Sequence, residues 1–210
     1  MNIRGKNVLI TGASRGIGES LAREFAKKNC RLHLLSRKHT EKQGRELSSL
    51  GAQSIQTWSV DLSQPNQLNN FFTTWKERDD PLDILVNNAG QLTGGLLERQ
   101  DPSEIASMFQ VNLIGLVQLT RFFLPRMLGQ KAGCIVNNSS VSAYMNFPAA
   151  STYAASKAAV AAFTNSLRQE LKGTGVQTLL MVTPGVHTKM YDAIFESYSE
   201  NFDTSFLSAI

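Results

Sequence analysis

No stretch of this sequence approaches the roughly 18 uninterrupted apolar residues of a membrane span, so no membrane partner is expected. The basic, polar start followed by a short apolar run resembles no secretory signal. Cysteine is scarce. Cys30 and Cys134 both lie inside apolar, strand-like segments and read as reduced core thiols rather than a disulfide framework, which makes the cytoplasm the expected compartment. His33, His39 and His187 are far apart and lack carboxylate or cysteine companions at ligand spacing, which argues against a metal site. A large excess of one charge is missing too. The net charge is +4, and the basic residues are scattered apart from a cluster between 27 and 45, so no nucleic-acid partner is expected. Repeats, low-complexity tracts and linkers are absent, and 42% hydrophobic with 18% charged residues suits one globular domain over residues 1–210.

What the chain does have is an alternation of short apolar runs with longer amphipathic ones. The runs at 7–11, 31–35, 54–60, 83–86, 134–137 and 176–182 read as strands. Between them, 17–28, 41–50, 67–78, 102–128 and 151–172 read as helices, with Pro125 expected to bend the last turn of the long fourth one. Strands that are apolar throughout, rather than alternating, imply burial on both faces, as in a parallel sheet covered by helices. The expected fold class is therefore α/β, a Rossmann-like doubly wound parallel sheet with its ligand crevice at the carboxyl ends of the strands.

The turn after the first strand reads Thr11-Gly12-Ala13-Ser14-Arg15-Gly16-Ile17-Gly18. Glycines here permit a tight turn and let backbone N–H groups approach a pyrophosphate at the positive end of a helix. The spacing is G-x-x-x-G-x-G rather than the standard G-x-G-x-x-G, but strand before and helix after still favour a nucleotide. An NAD site usually carries an acidic residue at the end of the second strand to bind the ribose 2′-hydroxyl. Here the chain reads Leu35-Ser36-Arg37-Lys38, and Arg15 adds a second guanidinium, so the expected cofactor is NADP(H).

Further along, Tyr153 and Lys157 stand four residues apart on one expected helix and project from the same face. A phenol has an ordinary pKa of about 10. A cation ~4 Å away contributes about 4 kcal/mol at an effective dielectric of ~20, enough to lower that value by up to about three units before desolvation opposes it. Ser140, thirteen residues upstream of the tyrosine at the end of an apolar run, supplies a hydroxyl to hold a substrate oxygen that Tyr153 protonates.

Together these pieces resemble the short-chain dehydrogenase/reductase family from Lys6 to about Thr188. The motifs stand in family order: Thr11-Gly12-x-x-x-Gly16-x-Gly18, Asp61 after the third strand, Asn87-Asn88-Ala89-Gly90 after the fourth, then Asn112, Ser140, Tyr153-x-x-x-Lys157 and Pro184-Gly185. The resemblance implies that Gly12, Ser14, Arg15, Gly16, Ile17 and Gly18 line the pyrophosphate and adenosine ribose, with Arg37 at the 2′-phosphate. It implies that Asp61 and Leu62 meet the adenine, and that Asn88, Ala89 and Gly90 border the ribose at the switch point of the sheet. Val186 and Thr188 would reach the nicotinamide, and Asn112 would hold water in a proton relay, a role compatible with an ordinary hydrogen-bonded core amide. The implied activity is interconversion of a ketone or aldehyde with an alcohol: Tyr153 exchanges the proton, Ser140 holds the oxygen, and Lys157 lowers the tyrosine pKa and grips the nicotinamide ribose. Spacing favours Ser140 over the adjacent Ser139 for that role.

The chain also departs from the family pattern. The loop Pro184-Gly185-Val186-His187-Thr188 is one residue shorter than usual, and after it only 189–210 remains. That stretch is aromatic and polar without a strand pattern, so either the last strand is missing or the sequence is part of a longer chain, and the segment is expected to be a partial substrate cover or one apolar helix face. The alanine-rich helix after Tyr153 implies, through the resemblance, a homodimer, with a tetramer less secure. Two rival readings stay open: a non-enzymatic NADPH-binding protein, and an NAD-dependent sugar-nucleotide epimerase or dehydratase. Neither the substrate nor the direction of reaction is legible in 94–97, 142–147 or the tail.

Overall fold

The structure is a computed structural model that describes residues 2–184. Six strands form one sheet: β1 Asn7–Thr11, β2 Arg31–Ser36, β3 Ser54–Ser59, β4 Ile84–Asn87, β5 Gly133–Ser140 and β6 Val176–Thr183. All pair in parallel, in the order β3-β2-β1-β4-β5-β6. The chain winds outward from β1 to β3, returns to the centre at β4 and winds the other way. The order therefore reverses between β1 and β4, and their carboxyl ends open the crevice where this architecture binds ligands.

Six α-helices connect the strands: α1 Gly16–Ala26, α2 Glu41–Ser49, α3 Pro65–Arg78, α4 Pro102–Phe109, α5 Gly115–Gly129 and α6 Ser151–Glu170. They cover both faces, as the apolar central strands β1 and β4 require, whereas the edge strand β3 (Ser54–Ser59) is mostly polar and partly exposed. Val8 and Ile10 of β1 point into one core with Ala22, Ala26 and Leu47 of α1 and α2. Leu9, between them, points into the other with Leu68, Phe71, Leu119, Phe123 and Leu167 of α3, α5 and α6. Each such side chain contributes about 1.5–3 kcal/mol by leaving water.

The long helix expected over 102–128 is not continuous. A π turn over Gln110–Ile114, closed by the Gly115 N–H donating to the Gln110 carbonyl, separates α4 from α5. The helical ladder is thus interrupted around Asn112, and Pro125 lies inside α5, which runs on to Gly129. Under β2 and β3, a cluster of rings fills the core. The His33 and Trp75 centroids lie 4.6 Å apart, Trp58 and Trp75 5.5 Å, and Trp75 and Phe123 5.0 Å. His33 is buried there and its Nδ1 finds no hydrogen-bond partner, so desolvation pushes its pKa down to about 4.

Among the described residues the sheet ends at β6, where Leu179 and Val182 are exposed. Also among them, no helix is long and apolar enough to cross a membrane, and no three His, Cys, Asp or Glu residues are grouped to hold a metal ion. Val186, Thr188 and the proposed cover at 189–210 lie outside the described residues.

Candidate active site

The glycine turn is shaped by close approach. Gly12 has φ +65°, and a Cβ there would stand 2.9 Å from the Ala89 backbone. Gly18, in the first turn of α1, packs so closely that a Cβ would collide with the Gly12 carbonyl and lie 2.6 Å from Asn88 Nδ2. The N-cap residue of α1, Arg15, makes no side-chain capping bond, so its side chain leaves the first-turn N–H groups of the helix to other acceptors. Ser14, Arg15 and Gly16 are exposed along this rim, and Ile17 is half-buried. Behind it, the buried Gln43 of α2 donates from Nε2 to the Ala13 carbonyl at 2.6 Å and holds the turn in place.

At the neighbouring strand end, Arg37 and Lys38 are exposed on the loop from β2 to α2. A small latch positions that loop. Ser36 Oγ donates to the Lys38 carbonyl at 2.8 Å, and His39 Nε2 lies 3.0 Å from the Trp58 carbonyl and 3.1 Å from Ser36 Oγ. A carbonyl can only accept, so Nε2 carries the imidazole proton. Asp61, just past β3, accepts at Oδ1 from the Ser63 N–H at 2.9 Å and the Ser63 hydroxyl at 2.8 Å. The side chain of Leu62 is buried in the core, so only its backbone is free to border a ligand.

A polar ladder crosses the middle of the crevice. Thr183 Oγ1 donates to Asn138 Oδ1 at 3.3 Å, Asn138 Nδ2 to Asn88 Oδ1 at 3.1 Å, and Asn88 Nδ2 to the Thr11 carbonyl at 3.0 Å. The backbone N–H groups of Asn88 and Ala89 both donate to Thr11 Oγ1 at 2.9 Å. The ends of β6, β5, β4 and β1 are thereby held in one row.

On the β5 side of the row stand Ser140, Tyr153, Lys157 and Asn112, the last two close to Gly90. Ser139 points away from the crevice and donates to the Lys157 carbonyl at 2.8 Å, pinning α6 to β5. Ser140, one residue on, donates to Ser142 Oγ at 3.2 Å and accepts the Ser142 N–H at 3.1 Å, and it is close enough to Tyr153 to act on the pKa of that phenol. Lys157 is 4% exposed. Its Nζ donates to the Asn138 carbonyl at 3.1 Å and lies 5.8 Å from the centroid of the Tyr153 ring. Asn112 accepts at Oδ1 from the Gln91 N–H at 2.8 Å and donates from Nδ2 to the Gln91 carbonyl at 2.9 Å and to Ser156 Oγ at 3.0 Å. Its side chain therefore ties the exit of β4 to α6. A Cβ on Gly90 would lie 3.6 Å from both Asn112 Oδ1 and Lys157 Nζ, so these groups converge on one spot.

The electrostatics correct one expectation. Burial raises the Tyr153 pKa, and Ser140 opposes it; Lys157 does not pull it down. The reason is that the lysine is itself desolvated, with its pKa driven down to about 8, so it gives up its proton before the phenol does. Four positioning residues escaped the sequence: Gln43, His39, Asn138 and Gln100. Asn138 alone left a signal, as a polar residue inside an apolar strand. Gln100 donates to the Gly95 carbonyl at 2.7 Å and accepts from Thr152 Oγ1 at 2.7 Å, fastening the loop after β4 to the helix of Tyr153.

A nicotinamide dinucleotide fits this set: a glycine turn packed too closely against 88–89 to admit a Cβ at Gly12 or Gly18, an open helix N-terminus, and exposed guanidinium groups with no carboxylate at the end of β2. Comparison with known proteins agrees. The ketoacyl reductase HetN of Nostoc sp. is 35% identical over 185 residues, 87% of this chain and 64% of that protein. An uncharacterized oxidoreductase of Staphylococcus saprophyticus is 30% identical over 212 residues, covering 100% of this chain and 86% of its own length. This chain thus spans less than two thirds of the first relative. A metagenomic short-chain oxidoreductase solved in complex with NADP superposes with a TM-score of 0.79 at 28% identity, over 94% of this chain and 92% of that one. The family described as short chain dehydrogenase matches residues 6–199, and the chain belongs to it.

Proposed function

We propose that this protein is an NADP(H)-dependent oxidoreductase that interconverts a carbonyl compound and an alcohol, with Tyr153 as the general acid and base. The observation that carries this reading is Tyr153 beside Ser140, with a buried Lys157 against its ring, at the carboxyl end of a sheet that also bears the glycine turn. Bound at that turn, NADPH supplies the hydride. Ser140 holds the substrate oxygen, and Tyr153 donates its proton to that oxygen as the alcohol forms. A tyrosine pKa raised by burial keeps the phenol protonated at neutral pH, which suits the reductive direction. Lys157, still charged below pH of about 8, is the cation nearest the ring and the group available to grip ribose hydroxyls. Asn112 keeps the floor beneath it in register through Gln91 and Ser156.

Gly12, Gly16, Gly18, Ile17 and Ser14 border the pyrophosphate, Asn88, Ala89 and Gly90 the ribose, and Asp61 with the Leu62 backbone the adenine. Arg15 and Arg37 are exposed on the rim where a 2′-phosphate would lie, and no carboxylate ends β2 to repel it. A homodimer through α6 is part of the same proposal, supported by the exposed small side chains Ala155, Ala158 and Ala162. The test is oxidation of NADPH over a panel of aldehydes and ketones with the parent and Tyr153→Phe. The variant should lose most turnover while binding NADPH nearly as before; near-parental turnover would refute the acid assignment. Binding of NADPH with no turnover by the parent would point instead to a ligand-binding protein.

A further inference from the structure

The walls of the crevice beside Tyr153 come from two segments, 91–100 after β4 and 141–150 before α6. The Gly95 N–H donates to the Ala149 carbonyl at 2.9 Å, joining them directly. Gln100 bridges Gly95 to Thr152, the residue before Tyr153. Anything carried on these segments is therefore fixed relative to the catalytic tyrosine. What they carry is apolar. The three most exposed large hydrophobic side chains among the described residues are Leu97 at 61%, Tyr144 at 61% and Met145 at 55%, and all sit here. Single exposed leucines need no explanation, but three on two pinned segments at one mouth do.

The polar side chains of the same segments are already engaged. Gln91 Oε1 accepts from Ser107 at 3.0 Å, Thr93 Oγ1 donates to Met108 Sδ at 3.4 Å, and Ser142 is bonded to Ser140. The exposed polar exceptions are Asn146 and, just past Leu97, Glu98 and Arg99, which face each other at 4.0 Å. Apart from that pair, whose charges offset each other, 91–100 and 141–150 contain no charged residue. A polyhydroxylated substrate would surrender its hydration without finding partners, whereas a hydrocarbon body would gain by leaving water.

We infer that the substrate is a carbonyl compound with an extended apolar body, held by a wall of Leu97, Tyr144 and Met145, and that sugars and other polyhydroxylated carbonyls are poor substrates. This rests on the carbonyl-reducing reading of the site. The experiment measures kcat/KM with NADPH for straight-chain methyl ketones from butanone to decanone, with dihydroxyacetone and glyceraldehyde alongside. Each buried methylene should raise kcat/KM about fourfold until the wall is spanned, and dihydroxyacetone should be no better than butanone. A flat series, or polyhydroxylated carbonyls reduced as well as decanone, overturns the inference and leaves the carbonyl-reducing reading standing. Reduction of no carbonyl at all overturns both. Leu97→Gln and Met145→Gln, shown to melt as the parent does, should each lessen the increase per methylene. Parental slopes in both would remove the wall from the assignment.

Discussion

Replacing Gly18 by alanine tests whether the glycine turn is set by close packing. Gly18 is helical, so alanine costs nothing in backbone conformation, and the effect is steric. The new methyl would lie 2.6 Å from Asn88 Nδ2, well inside ordinary contact. Asn88 must then move, and its bonds to the Thr11 carbonyl at 3.0 Å and from Asn138 at 3.1 Å stretch or break. Two hydrogen bonds at about 1 kcal/mol each, with about 1–3 kcal/mol for overpacking, give a loss of roughly 3–5 kcal/mol. Gly44 of α2 is the internal control, since a Cβ there meets nothing within 4 Å. Gly44→Ala should stabilise by about 0.5–1 kcal/mol through helix propensity alone. Urea unfolding of the two variants and the parent decides the matter, with NADPH titration beside it. Gly18→Ala should unfold at lower urea and bind NADPH more weakly, and Gly44→Ala should unfold at higher urea with unchanged binding. A Gly18→Ala midpoint equal to the parent's would refute the packing argument.

Arg37→Ala should weaken NADPH about ten- to a hundredfold, as expected for one hydrogen bond to a charged group, and leave NADH nearly untouched; equal losses for both would rule out the 2′-phosphate reading. His39→Ala releases the latch on the same loop, so the KM for NADPH should rise several-fold with kcat unchanged, and an unaltered KM would show that Arg37 needs no such support. Stability should also depend on acid through His33. Its folded pKa of about 4 lies below the ordinary 6.5, so the unfolded chain takes up the proton first and stability falls as pH drops from 6.5 towards 4. The loss amounts to about 3 kcal/mol across that window and is absent above it. Arg78 pushes the same way and Asp80 against it, while the lowered pKa of Asp83 keeps its own contribution below the window. Denaturant midpoints of His33→Leu should lose this slope; a variant with the parental slope would place the acid sensitivity elsewhere.

Much of this molecule is legible in its residues because the signals are local. Three successive apolar residues, Val8, Leu9 and Ile10, followed by a glycine turn can be little but a buried parallel strand entering a ligand turn. Likewise Tyr153 and Lys157 share a face because four residues make about one helical turn. What stayed hidden depends on distant partners. The bond from Thr152 to Gln100 joins residues 52 positions apart, and that from Gln43 to Ala13 joins residues 30 apart. The π turn at Asn112 was invisible because helix propensity does not distinguish a π turn from an α turn. The direction of the Tyr153 shift was misread for a related reason: the sequence shows a neighbouring cation, whereas burial, which dominates, is a property of the whole fold.

The ring cluster beneath β2 and β3 has a practical consequence. Both tryptophans of the chain, Trp58 and Trp75, stand there beside His33, remote in the sheet order from the strand that ends at Ser140. Their intrinsic fluorescence watches a single corner of the protein. Because a charged imidazole quenches a neighbouring indole, dimming under mild acid would mark one titration, in one place, without any label.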